Sequence, residues 1–270
     1  MKPYLAAALL LAASALAGPA MSDAGMAETD PKPAEPTAAT PASVLRFVVY
    51  YPHFPPYIYT EPPQNQVIGI IPDLLAPLFE QLQIQTEYVL DNRSGAEQRL
   101  YKGDVDAMML NPAWAKHPDK LLFSDGIIPY NDYLFASSKQ QLPLQKAQLQ
   151  GTKICTREYY VYPQLEPLFN SDTLLRIDSS SQEAQLRMVF NNRCDLVYMN
   201  DLIARWLVQH NFSDRSLYRS GLYVGKAALT IALHPRWQAL LPKLNRFIEQ
   251  QQQSGETQRI ISRYVTADNR

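Results

Sequence analysis

The sequence predicts an α/β protein of two similarly built lobes, each a mostly parallel sheet flanked by helices. Two observations carry this. Short β-branched and aromatic runs alternate with stretches whose apolar residues recur at helical spacing. The stretch Leu100–Asn111 (LYKGDVDAMMLN) also matches Val189–Asn200 (VFNNRCDLVYMN). In each copy a helix ends at Gly103 or Asn192, residues suited to a left-handed cap. Three residues on stands Asp106 or Asp195, and five further on Asn111 or Asn200, with a short strand between. Parallel strands require crossover connections, and the intervening helices supply them.

The elements follow in order. Val44–Tyr51 (VLRFVVYY) reads as a strand, followed by a Pro-rich turn at Pro52–Pro56. Leu74, Leu75, Leu78, Phe79 and Leu82 form the apolar face of a helix, with Asp73 as its expected N-cap and Pro77 in its early turns. Gln85–Leu90 is the next strand. Ser94-Gly-Ala-Glu97 is a capping-box pattern opening a helix that Gly103 closes, and Asp106–Leu110 is a third strand. The second half repeats the scheme. Lys153–Thr156 is a strand, Leu165–Phe169 helical and Leu174–Ile177 a strand. A second capping box, Ser180-Ser-Gln-Glu183, opens a helix, and Asp195–Met199 is the last strand of the repeat. Near the C-terminus Trp237, Leu240, Leu241, Leu244, Phe247 and Ile248 form one helical stripe. A break at Gly255 and a short helix through Ile260, Ile261 and Tyr264 follow.

Lys2 and the apolar run Leu5–Ala17 have the length of a signal-peptide core, with small-residue cleavage sites after Ala17 and Ala20. No cysteine stands there to carry a lipid. Residues 1–20 are therefore read as a signal peptide for the periplasm, cleaved on export. The Ala-, Pro- and Thr-rich residues 21–43 read as a disordered linker, because they offer too little apolar surface to offset ordering entropy. The net charge is −1 and the basic residues are scattered, which argues against a nucleic-acid partner. The two cysteines, Cys155 and Cys194, form an even pair in an oxidising compartment and suggest a disulfide. His53, His117, His210 and His234 show no metal-ligand spacing, so neither metal nor cofactor is expected.

From about Leu45 to Val265 the chain resembles the bacterial extracellular solute-binding proteins of the polar amino-acid type. The resemblance rests on Tyr51-Pro-His-Phe-Pro-Pro-Tyr57, Gly69-Ile-Ile-Pro-Asp73-Leu and Lys102-Gly-Asp-Val-Asp-Ala107. It continues through Phe123-Ser124 with Pro129-Tyr130, Asn192-Arg-Cys-Asp-Leu196, Leu244-Asn-Arg-Phe, Ser254-Gly255 and Arg263-Tyr264. It implies a type II periplasmic-binding fold, with two hinge crossings and the ligand between the lobes. The crossings are placed near Tyr133–Lys139 and Val224–Leu233. Lobe 1 is then 44–135 plus 228–270, and lobe 2 is 136–227. The C-terminal stripe should pack on lobe 1. In this fold the strands carrying Cys155 and Cys194 are neighbours, which favours their bond.

Ligands of open α/β sheets bind beyond the carboxyl ends of the strands. The candidates from lobe 1 are Tyr51, Phe54, Tyr57, Asn111 and Trp114. From lobe 2 they are Arg157, Glu158, Tyr159, Ser179, Asn200 and Asp201. Aromatic walls with a few polar groups suit a small-molecule cleft. Asn111, Asn200 and Asp201 also suit local caps, and Asp106 and Asp195 read as structural.

Amino-acid binders of this type carry an Arg before the Phe-Ser-x-Pro-Tyr stretch, which grips the ligand carboxylate bidentately. Here Asn111–Lys120 contains no Arg, and Lys116 or His117 is nearest. The amine-binding Asp aligns with Asn200. The expected function is a monomeric solute-binding protein that captures a small polar molecule for an ABC-type importer. The ligand is then something other than a standard α-amino acid, with Arg157 available to rescue a carboxylate. The aromatic wall would favour a flat or weakly hydrated ligand bearing a cationic group. The alternatives are an exported cyclohexadienyl-dehydratase-like enzyme with Glu158 or Asp201 as general acid, or a sensor passing its ligand to a receptor.

Overall fold

A computed structural model describes residues 43–50, 54–61, 63 and 65–266. The signal peptide, the linker up to position 42, and Tyr51 and His53 lie outside the described residues. The chain runs β1 (Ser43–Tyr50), the hairpin β2 (Tyr59–Glu61) and β3 (Gln66–Ile68), α1 (Ile70–Gln81), β4 (Ile84–Asp91), α2 (Arg93–Lys102), β5 (Ala107–Met109) and β6 (Leu122–Phe123). It continues through β7 (Ile128–Ala136), β8 (Thr152–Arg157), α3 (Glu166–Asn170), β9 (Leu174–Ser179), α4 (Gln182–Phe190), β10 (Leu196–Asn200) and α5 (Asp201–Asn211). It ends with β11 (Tyr218–Arg219), β12 (Gly225–Leu229), β13 (Ile231–Leu233), α6 (Leu241–Gln253) and α7 (Glu256–Tyr264).

The first sheet has the order β4-β1-β5-β13-β6. β1 is buried along most of its length and pairs in parallel with β4, from Ser43↔Ile84 to Tyr50↔Asp91, and with β5 at Phe47↔Ala107. α1 is the crossover between β1 and β4, and it buries Ile70, Ile71, Leu74, Leu75, Leu78 and Phe79. Its start corrects the expected cap. Gly69 holds the N-cap position at φ +133°, where a Cβ would lie 2.5 Å from the Tyr57 carbonyl oxygen. The first-turn donors of Ile70 and Ile71 reach the Pro56 and Tyr57 carbonyls at 2.9 Å, so no side-chain cap is needed. Asp73 instead sits within the first turn and accepts the Tyr264 hydroxyl at 2.9 Å, tying α7 to α1.

The capping boxes shift in the same way. α2 is capped by Asn92, whose Oδ1 accepts Gly95 N–H, and Ser94 lies inside the helix. α4 is capped by Ser181, one residue after Ser180. In both cases the strand before the helix ends with its pairing, at Asp91 and Ser179, and a polar side chain one or two residues on becomes the cap.

The second sheet has the order β11-β7-β10-β8-β9, with β12 also paired to β7. β8 pairs in parallel with β9 and β10. Cys155 on β8 and Cys194 just before β10 are bonded, at 2.03 Å between sulfurs and 5.6 Å between Cα atoms.

The internal repeat is structural. Asp106 accepts Arg46 N–H at 2.8 Å and donates its own N–H to the Arg46 carbonyl. Asp195 does the same with Lys153, accepting at 2.7 Å. Each aspartate thus clips the turn after a helix to a parallel strand of its own sheet, Asp106 to β1 and Asp195 to β8. Each copy then ends in an asparagine cap: Asn111 caps a single 3-10 turn and Asn200 caps α5.

The chain leaves the first sheet after β6 and enters the second at β7, so the passage falls at 124–127. The stretch 133–139 expected to cross is instead the end of β7 and the residues after it. Its first residues pair with β10 and β11, which leaves them no freedom to act as a passage. The return passes between β12 and β13 at Thr230. The two passages are bound together, with Ile127 N–H on the Leu229 carbonyl at 2.8 Å and Ser124 N–H on the Ile231 carbonyl at 2.9 Å. A Cβ at Gly126 would fall 2.5 Å from the Ala228 Cβ, so the close approach requires glycine.

α6 begins at Leu241, later than the apolar stripe suggests. Trp237 belongs to a separate 3-10 turn and donates its indole N–H to Asp106 at 2.6 Å. Leu244 and Ile248 are its buried residues. Gln252 donates to the Gly126 and Ile127 carbonyls, so the helix packs beside the passage as well as against α7. No helix among the described residues is long and apolar enough to cross a membrane.

Candidate functional site

A cavity of ≈ 280 Å³ is lined by residues of both sheets. Its aromatic side is a run of rings from the first sheet to the passage. Tyr50, at the end of β1, lies 5.4 Å from Phe54 between ring centroids, and Trp114 lies 5.1 Å from Tyr130. Tyr57 sits behind this wall, fully buried, stacked on Phe54 at 5.4 Å and on Tyr130 at 5.5 Å. Its hydroxyl donates to Asn200 Oδ1 at 2.8 Å, and the same oxygen caps α5 through Leu202 and Ile203 N–H.

The cavity has a cationic end. Arg157 closes β8, and its Nε and Nη1 are buried without a hydrogen-bond partner. Its guanidinium carbon lies 5.9 Å from the centre of the Tyr160 ring. Arg93, the first residue of α2, donates to the Trp114 carbonyl at 2.5 Å. Burial pushes the Tyr160 hydroxyl up, and the charges of Arg157 and Arg93 pull part of that shift back.

Asp132 on β7 is the carboxylate of the cavity wall. Among the described residues it makes no side-chain hydrogen bond and no ion pair. Burial alone pushes it up to about 7. Its charge adds to the burial that raises the hydroxyls of Tyr57, Tyr130, Tyr162 and Tyr198. Gln185 stands in the same wall with Nε2 on the Cys155 and Tyr198 carbonyls, and its buried Oε1 has no partner.

Of the residues expected from sequence, Phe54, Trp114, Arg157 and Asn200 line the cavity. Tyr57 backs it. Asn111 caps its turn and donates to the Ala228 carbonyl at 2.7 Å, holding the return passage without lining the cavity. Ser179 is occupied by the Thr156 and Ser181 carbonyls. Glu158 lies outside the lining, and Tyr159 is 76% exposed at φ +64°. Asp201 is the first residue of α5, and its carboxylate pairs with Arg205 at 3.0 Å and Arg219 at 3.2 Å. Tyr51 lies outside the described residues. Sequence reasoning did not place Arg93, Asp132, Tyr160, Tyr162 or Gln185 at the site. Arg93 had a signal, since it stands just past β4 and the strand-end rule applied to that strand would have reached it.

Two sheets joined by a paired passage, with a cavity lined from both, define a two-lobed α/β binding protein. Residues 47–267 match the bacterial extracellular solute-binding proteins, family 3, and the chain belongs to that family. Among solved structures it is similar to a mutant of ArgBP from T. maritima, with TM-score 0.66 and 16% identity over 82% of this chain and 95% of that one. It is similar to AbpA from Streptococcus pneumoniae bound to L-arginine, with TM-score 0.69 and 14% identity over 82% of this chain and 94% of that one. It is also similar to the ancestral amino acid-binding protein AncCDT-1, a precursor of cyclohexadienyl dehydratase, with TM-score 0.68 and 15% identity over 83% and 96% of the two chains. At these identities the likeness carries the fold, the two-lobed type II periplasmic-binding architecture. No curated protein sequence matches the chain. The family binds small-molecule solutes and works with ABC transporters.

Proposed function

We propose that the protein, exported and processed near residues 18–21, captures a small polar solute with an anionic group in this cavity. It delivers that solute, other than a standard α-amino acid, to an ABC-type importer without transforming it. The observation that carries the reading is Arg157. A guanidinium with two buried donors left unpaired is costly, and a bound carboxylate relieves that cost with charge-assisted hydrogen bonds. The anion partner would therefore come from the end of β8 rather than from the stretch between Asn111 and Lys120.

Calorimetry against short-chain carboxylates tests this with wild-type protein and Arg157→Gln. The variant should weaken binding by about tenfold or more, as loss of a hydrogen bond to a charged group implies. Equal binding by both proteins would overturn the reading. Asp132 favours one second reading, since a carboxyl titrating near neutrality suits a general acid. Glu158 and Asp201 do not fill that role, being outside the lining. Product formation from prephenate or arogenate by the purified protein would establish an enzyme in place of a carrier.

A further inference from the structure

The cavity has an anionic pole as well as a cationic one. Asp132 lines it half-buried and without a side-chain partner among the described residues, and a carboxylate so placed gains from a cationic partner through charge-assisted hydrogen bonds. Gly225 faces Asp132 across the β7–β12 pair. A Cβ on Gly225 would lie 2.5 Å from the Tyr198 hydroxyl and 3.4 Å from the Asp132 Cβ, so the glycine keeps the approach to the carboxylate open. The nearby tyrosine hydroxyls make no hydrogen bond to Asp132. Tyr198 donates to the Tyr223 carbonyl at 3.1 Å, and Tyr162 accepts Arg157 N–H at 2.8 Å. The rings of Tyr130, Tyr162 and Tyr198 line the same cavity as Asp132, and aromatic faces beside a carboxylate favour a cation. No ion pair joins Asp132 to Arg157 or Arg93, so the two poles do not neutralise each other.

We propose that Asp132 receives a protonated amine of the ligand, so that the solute is a zwitterion with its charges held apart. Its anionic group sits on Arg157 and its ammonium on Asp132 among the rings of Tyr130, Tyr162 and Tyr198. The chemical class is that of ω-amino acids, in which a chain separates amine from carboxylate. The carboxylate half rests on the reading of Arg157 given above, whereas the amine half rests on Asp132.

The test is calorimetry with glycine, β-alanine, γ-aminobutyrate, δ-aminovalerate and ε-aminocaproate. Valerate and pentylamine serve as probes of one pole each. A longer member of the series should bind about tenfold or more tighter than glycine and than valerate, the size expected for one added charge-assisted contact. Asp132→Asn should abolish the preference for δ-aminovalerate over valerate. At pH 6 the wild-type protein should release a proton on binding the amine, read from the heat in buffers of different ionisation enthalpy, and the variant should not. Glycine binding tighter than every longer member overturns the proposal. So does a preference that survives Asp132→Asn, or an absence of binding across the whole series. Valerate bound equally by wild type and Arg157→Gln, while pentylamine binding depends on Asp132, would defeat the Arg157 reading and leave the amine subsite standing.

Discussion

The hydroxyl of Tyr57 donates a 2.8 Å hydrogen bond to Oδ1 of Asn200, joining the loop after β1 to the cap of α5. Both side chains are buried, so the bond fixes the aromatic wall of one sheet against the helix start of the other. Tyr57→Phe removes the bond and leaves Asn200 its cap contacts, at a cost of about 1 kcal/mol. That corresponds to a fall in Tm of roughly 2–4 °C for a chain of this size. Asn200→Ala should cost more, about 2–4 kcal/mol, because it removes the cap and strands a buried hydroxyl. Thermal denaturation of the two variants measures the ordering, and a larger loss from Tyr57→Phe would refute it.

The Cys155–Cys194 bond spans 39 residues of sequence. In the chain-entropy account a loop of that length stabilises the folded state by about 4 kcal/mol. The double substitution to alanine should lower the denaturant midpoint accordingly. Labelling of the denatured, unreduced wild-type protein should find no reactive thiol.

Asp106 and Asp195 occupy the same place in the internal repeat, but they carry different loads. Asp195 accepts the Lys153 backbone N–H. Asp106 is buried and accepts from Arg46 N–H, Arg46 Nε, Arg236 and the Trp237 indole. Burial pushes the Asp106 carboxyl up, yet the hydrogen bonds from Trp237, Arg46 and Arg236 outweigh it and hold the group below its usual range. Asp106→Ala should cost about 3–5 kcal/mol, the penalty for breaking a buried ion pair. Asp195→Ala should cost about 1 kcal/mol, the value of one hydrogen bond. A depressed acid stabilises above its unfolded pKa, so the Asp106 contribution is present at neutral pH. It is lost as pH falls below about 4 through its folded value. Urea titrations at pH 7 and pH 3 check both the order and the sign, and equal costs for the two substitutions would contradict the argument.

The fold was legible because its signals are local. Strand runs, the apolar spacing of α1 and the left-handed closures at Gly103 and Asn192 each lie within a dozen residues. Caps were misplaced by one or two positions at α2 and α4, because several adjacent polar residues satisfy the same short pattern, and by four at α1, where backbone carbonyls replace a side-chain cap. The hydrogen bonds decide the choice: Asn92 accepts Gly95 N–H, Ser181 accepts Ala184 N–H, and Asn200 accepts Leu202 and Ile203 N–H. The lining of the candidate cavity was legible in part. Phe54, Trp114, Arg157 and Asn200 follow from the strand-end rule. Asp132 does not, because it lines the cavity from within β7. Its environment is set by Gly225 and Tyr198, which reach it through pairings distant in sequence.

The last prediction turns on Asp132 in the unliganded protein. A carboxyl pushed up to about 7 by burial is stabilising in its neutral form. Its folded value lies above the unfolded one near 3.9, so its contribution is fully present below about pH 4 and is lost as pH rises through 7. The groups facing it are Tyr57, Tyr130, Tyr162 and Tyr198, all raised by burial and uncharged in this window, with Lys226 next to Gly225 on β12. Asp132→Asn removes the ionisable group and keeps its shape. Relative to wild type the variant should therefore gain stability with rising pH, by up to a few kcal/mol above pH 7 and by about 1 kcal/mol or less at pH 4.5. Melting temperatures from pH 4.5 to 8.5 give the difference directly, because every other titrating group is common to both proteins. Parallel curves would show that Asp132 is solvated in the unliganded cavity and ionises at no cost.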